Sequence, residues 1–146
     1  MMNHLRTPED YELFLYTLSD HFPSVCRSTL TFVRKGISLG RVAGELFFEH
    51  GIRLAVRERI LWQRLPAVID WYGYEIWHEK EKLYWYDSQP HPDDHTLRST
   101  DPHHKHIPPD MKHNRIPAPN MRFTGENFTF LIREIENLIE KMQYKA

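Results

Sequence analysis

One stretch limits the fold more than any other. From Ile52 to Trp62, the residues Ile52, Leu54, Val56, Ile60 and Trp62 share one parity, while Arg53, Arg57 and Arg59 share the other. A period of two sustained over this length fits a strand with one face in a core and the other turned away from it. Its neighbours continue the pattern. Residues 29–34 are rich in β-branched and aromatic side chains and run into Gly36 and Gly40. Residues 42–48 follow, and Glu49-His50-Gly51 gives a short hairpin link to the alternating run. Beyond Pro66, residues 68–78 and 83–87 read as an aromatic hairpin turning across residues 79–82. The expectation is an antiparallel meander of about five strands.

Two helices flank this sheet. Thr7-Pro8-Glu9-Asp10 combines a capping residue, a proline suited to the first helical position and acids at the positive helix end. Tyr11, Phe14, Leu15, Leu18 and Phe22 then recur at helical spacing before Pro23, which predicts a helix over residues 8–21. Near the other end, Phe128, Leu131, Ile132, Ile135, Leu138, Ile139 and Met142 form an amphipathic stripe, with Thr124 as its expected cap. Both stripes are expected to cover one face of the sheet. The face with Arg53, Arg57 and Arg59 is then left for solvent or a ligand. The fold class is α+β, as a single domain over residues 1–146.

Composition narrows the setting. Nineteen Lys+Arg against twenty Asp+Glu give a formal net charge of −1, so bulk positive charge does not grip a partner. The lone Cys26 forms no internal disulfide and is expected to be a buried, inert thiol in a reducing compartment. No apolar run approaches the ~18–20 residues that span a bilayer, and the first residues do not pattern as a signal peptide. A cytoplasmic protein without a membrane partner is the expectation. Six of the ten His and seven of the ten Pro fall within residues 90–119. Residues 89–122 have no periodicity, and a long His/Pro-rich loop is expected there.

The strongest chemical signal is Asp101-Pro102-His103-His104-Lys105-His106, where three imidazoles and an ammonium gather within four residues. Upstream, Tyr86-Asp87-Ser88-Gln89-Pro90-His91 carries a strand end into the same loop. Metal-free RNA cleavage needs a base, an acid and a cation for the phosphorane-like transition state, and two His with Lys or Arg supply all three. A zinc site is the second possibility, from His91 with His95 or His103 with His106 and the nearby Asp87, Asp93, Asp94 and Asp101, although no cysteine pair accompanies them. A loop whose histidines only bond to nearby carbonyls is the third. The arginine-bearing sheet, flanked by Trp71, Tyr72, Tyr74, Trp77, Tyr84, Trp85 and Tyr86, suits single-stranded RNA. The same aromatics also suit a core, with Glu45, Glu58 and Glu75 pairing the arginines.

The segment Trp85-Tyr86-Asp87-Ser88-Gln89-Pro90-His91, followed by Pro102-His103-His104-Lys105-His106, resembles the TumE family of bacterial toxin–antitoxin proteins over roughly residues 44–139. The resemblance implies a toxin neutralised by a partner antitoxin. A helix followed by a meander sheet is also the plan of ribonuclease toxins of the RelE and barnase type, a likeness of plan and not of chemistry. The combined expectation is a metal-independent endoribonuclease toxin that uses no cofactor. His104 and His106 form its acid–base pair, with His103 or His91 in reserve. Lys105, Arg57 and Arg59 bind phosphate, and Tyr74, Tyr86 and Asp87 hold the substrate. Its partners are a cognate antitoxin and RNA. The alternatives are a non-catalytic protein- or RNA-binding module and a metal-dependent nuclease using the same loop.

Overall fold

The alternating run does become a strand, and it lies within a sheet wider than the five strands expected. The computed structural model describes residues 2–88, 102–111 and 114–144. Its strands are β1 (Arg27–Ser28), β2 (Thr31–Arg34), β3 (Leu39–Phe47), β4 (Ile52–Leu61), β5 (Val68–His78), β6 (Glu81–Asp87), β7 (His104–His106) and β8 (Arg115–Pro117). They form one antiparallel sheet in the order β1-β3-β4-β5-β6-β7-β8, with β2 also paired to β3. The expected meander is its centre. The additions are short strands of two or three residues toward the margins of the sheet, in which a period of two cannot be recognised from sequence. Two of them, β7 and β8, lie in the segment expected to be a loop throughout. His104 to His106 is therefore a strand of the sheet, held between β6 and β8.

Three helices accompany the sheet: α1 (Pro8–Tyr16), α2 (Leu18–His21) and α3 (Phe128–Tyr144). Thr7 caps α1, its hydroxyl accepting the Asp10 N–H at 3.0 Å. The helix expected over residues 8–21 divides at Thr17, whose hydroxyl instead donates to the Leu13 carbonyl at 2.7 Å. At the start of α3, Glu126 takes the capping role expected of Thr124, accepting the Thr129 N–H at 2.9 Å and its hydroxyl at 2.6 Å. The apolar stripes of α1 and α3 cover the same sheet face, where Tyr11, Phe14, Leu15, Leu131, Ile132 and Ile135 join Leu54, Val56, Ile60, Ile69 and Ile76 in the core. Cys26 is exposed, contrary to expectation, because it precedes β1 at a sheet edge where both strand residues face out. Among the described residues, no helix is long and apolar enough to cross a membrane.

Glu58 breaks the alternation of β4 from inside. It shares parity with Val56 and Ile60, so it points into the core and is 2% exposed. Its expected role of pairing the arginines is ruled out by the opposite face. The Tyr11 and Tyr74 hydroxyls donate to its two carboxylate oxygens, and Asn127 Nδ2 donates to the Tyr74 oxygen at 3.0 Å. Burial raises the Glu58 carboxyl to about 7, against the opposing effect of the two tyrosine bonds. This network ties α1, β4, β5 and the start of α3 together.

Candidate active site

The strand registers set a row of residues across the uncovered face. Ala43 pairs with Arg57, Arg57 with Gly73, Gly73 with Asp87, and Asp87 with His104. A second row passes through Glu45, Ala55, Glu75, Trp85 and His106. Because side chains alternate between faces, residues of one row share a face across neighbouring strands. The result is a groove lined by Arg57, Trp71, Gly73, Glu75, Lys82, Trp85 and Asp87. Gly73 is its floor. Among the described residues, a Cβ there would meet only the Trp71 ring, at 3.6 Å, so the backbone does not demand glycine and its effect is to leave space between Arg57 and Asp87.

Charge is distributed unevenly along this face. Arg53 pairs with Glu45 at 3.1 Å, Lys82 with Glu75 at 3.1 Å, and Arg59 donates from Nε to Asp70 at 2.6 Å. Among the described residues, neither Arg41 nor Arg57 has a carboxylate partner, so both are available to an anionic ligand. Trp71 lines the groove beside them. Trp85 is sandwiched, with the His106 ring stacked at 4.1 Å and Lys82 Nζ 4.5 Å from its centroid.

Asp87 organises the other end. Its carboxylate lies against His104 Nε2 and within 3.3 Å of His106 Nε2, and it accepts the Trp85 indole N–H at 3.2 Å. His104 is fully buried and His106 is 6% exposed, whereas Asp87 reaches the groove. Burial alone would raise the Asp87 carboxyl. The polar contacts from His104 and His106, the charge of His104 and the Trp85 bond outweigh it and hold the carboxyl well below the usual carboxylate range. His106 is anchored on its far side by Nδ1, 2.6 Å from the Met111 carbonyl.

Strand alternation separates residues that the sequence presents as one cluster. His104 and His106 join Asp87, while His103 and Lys105 turn the other way. His103 Nδ1 is 2.7 Å from the Tyr72 hydroxyl, its ring lies parallel to Tyr72, and burial followed by the His104 charge lowers its pKa. Lys105 reaches Glu134 of α3 at 3.4 Å, and the Tyr86 hydroxyl donates to the same carboxylate at 2.8 Å. Tyr74 is wholly buried beside Glu58. Of the expected substrate-binding residues, Arg57, Arg59 and Asp87 therefore share a face, and Lys105, Tyr74 and Tyr86 do not. His91 lies outside the described residues. Trp71 and Trp85 gain a place at the groove that the sequence alone leaves undivided from the core tyrosines. Their strand parity, opposite to that of Tyr72, Tyr74 and Tyr86 apart from the bulge near Trp71, is the signal that separates them.

The arrangement defines an α+β protein whose helix-backed sheet carries a cationic, indole-lined groove ending at a carboxylate held by two imidazoles. A carboxylate and two imidazoles gathered in this way can transfer protons or ligate a cation. The family described as Toxin TumE matches residues 14–139, most of the chain, and the protein belongs to that family of toxins. No curated protein and no solved structure matches the chain.

Proposed function

We propose that this toxin acts by cleaving RNA, with the strand laid along the open face of the sheet and the scissile phosphate brought to Asp87, His104 and His106. The observation that carries this reading is the single row linking Arg57, Gly73, Asp87 and His104 across four adjacent strands. Strands stand about 4.8 Å apart, so the Arg57 and Asp87 backbones are about 10 Å apart, within reach of neighbouring nucleotides of one strand. Arg57 and Arg41 supply charge to the backbone, and the exposed edges of Trp71 and Trp85 supply apolar surface for bases. Membership of a toxin family supports an antitoxin partner, whose natural target is this same groove, since covering it blocks the substrate.

Within this reading, Asp87 holds two imidazoles in fixed orientation, as an acid–base pair or a metal centre requires. His103 serves to position β7 through Tyr72. The test is incubation of the purified protein with end-labelled single-stranded RNA, beside His106→Ala and with and without chelator. Cleavage by the wild type and loss in the variant are expected. RNA binding without cleavage under both conditions would leave the non-catalytic module as the better account.

A further inference from the structure

We infer that Asp87, His104 and His106 bind a divalent transition-metal ion of the zinc class. One donor atom from each lies within 4.8 Å of the others. Donors around an ion with bonds of about 2.0–2.1 Å stand roughly 3.3–4.2 Å apart, so an ion is admitted once His104 and Asp87, now in direct contact, move apart.

The second observation is the tautomer of His106. Its Nδ1 lies 2.6 Å from the Met111 carbonyl, which can only accept, so Nδ1 carries the proton. In the neutral imidazole, Nε2 then presents a lone pair. That nitrogen is buried and faces an Asp87 oxygen at 3.3 Å, outside good hydrogen-bond geometry. A buried nitrogen and a carboxylate oxygen turned toward each other need a cation between them, a proton or a metal ion, and a metal titration distinguishes the two. A backbone bond on the far nitrogen is also how metal-bound imidazoles are held in orientation.

The donor set chooses the ion. Two imidazoles and one carboxylate favour Zn²⁺, Co²⁺ or Ni²⁺ over Mg²⁺ and Ca²⁺, which prefer all-oxygen cages. Cys26 precedes β1, at the opposite end of the sheet from β7, and contributes no sulfur. Asp87 borders the groove, so positions that the protein leaves open face the place proposed for RNA. Metal binding stands apart from that RNA reading and is tested without any substrate.

The experiment titrates the untagged full chain, freed of metal by chelator, with Co²⁺ and follows its visible absorption. One equivalent is expected to bind, to be displaced by Zn²⁺ and to persist in excess Mg²⁺ or Ca²⁺. Asp87→Asn and His106→Gln weaken it by about 100-fold or more, and His21→Gln, on the exposed surface of α2, leaves it unchanged. X-ray absorption of the wild-type zinc complex decides the matter without any substitution, with imidazole and oxygen ligands expected. No Co²⁺ bands at one equivalent, full binding by Asp87→Asn, displacement by Mg²⁺, or sulfur ligation would each overturn the assignment. In the first case, a proton holds His106 to Asp87 instead.

Discussion

Glu58 and Asp87 are both drawn into the protein from strands of one sheet, and their surroundings push them in opposite directions. Glu58 points to the helix-covered face, between two tyrosine hydroxyls, and burial raises it to about 7. Asp87 points to the open face, where two imidazoles and an indole N–H hold its carboxyl low against the same burial. Hydroxyls stabilise a carboxyl group without supplying charge, whereas imidazoles supply charge or a metal to share. Glu58 therefore binds elements of the fold to one another. Asp87 holds chemical groups beside a groove. A buried carboxylate is thus identified by its partners, not by its depth.

The strongest way to break this contrast is at Glu58. Replacement by alanine leaves the Tyr11 and Tyr74 hydroxyls without their acceptor and opens a small cavity, at an expected cost of about 3–4 kcal/mol. Thermal unfolding should show a Tm lower by about 10 °C. Next comes the pH dependence of stability. The folded carboxyl keeps a proton that the unfolded chain releases above its ordinary value of 4.5. The Glu58 contribution to stability is therefore largest at acid pH, falls by about 3 kcal/mol as pH rises to about 7, and is flat above. Glu58→Gln should flatten that slope in denaturant melts at a series of pH values; an unchanged slope would mean that other groups set it.

Smaller effects sharpen the open-face side. Gly73→Leu fills the groove floor in a strand that tolerates a side chain, so RNA binding should fall about 10-fold or more while the Tm is unchanged or slightly higher. Loss of fold in this variant would show that Gly73 is structural after all. Arg57→Ala should weaken RNA binding modestly and lower the log–log salt slope by about 1, with stability changed by less than about 0.5 kcal/mol.

The alternation of β4, the aromatic hairpin and the two amphipathic helices were legible because each repeats its period several times. The short strands β7 and β8 were not, since three residues each are too few to show a period of two. That omission also hid the site. Read as a loop, His103 to His106 is one cluster of four; as a strand, it divides into His104 with His106 and His103 with Lys105. Asp87 and Trp85 share a spacing of two, as do His104 and His106, and this matching period is what pairs them. Glu58 was misread for the converse reason, because a charged residue in a strand was assigned to the charged face although its parity placed it in the core.

The central claim is that the Asp87 end of the groove carries the toxin's chemistry and Glu58 carries only its fold. Cleavage of end-labelled RNA by Asp87→Asn and Glu58→Gln, measured side by side with the wild type and with folding verified for each, tests it most directly. The account predicts that Asp87→Asn loses about 10²–10⁴-fold in rate, and that Glu58→Gln stays within about twofold. Wild-type cleavage by Asp87→Asn, or an equal loss in both variants, would contradict it.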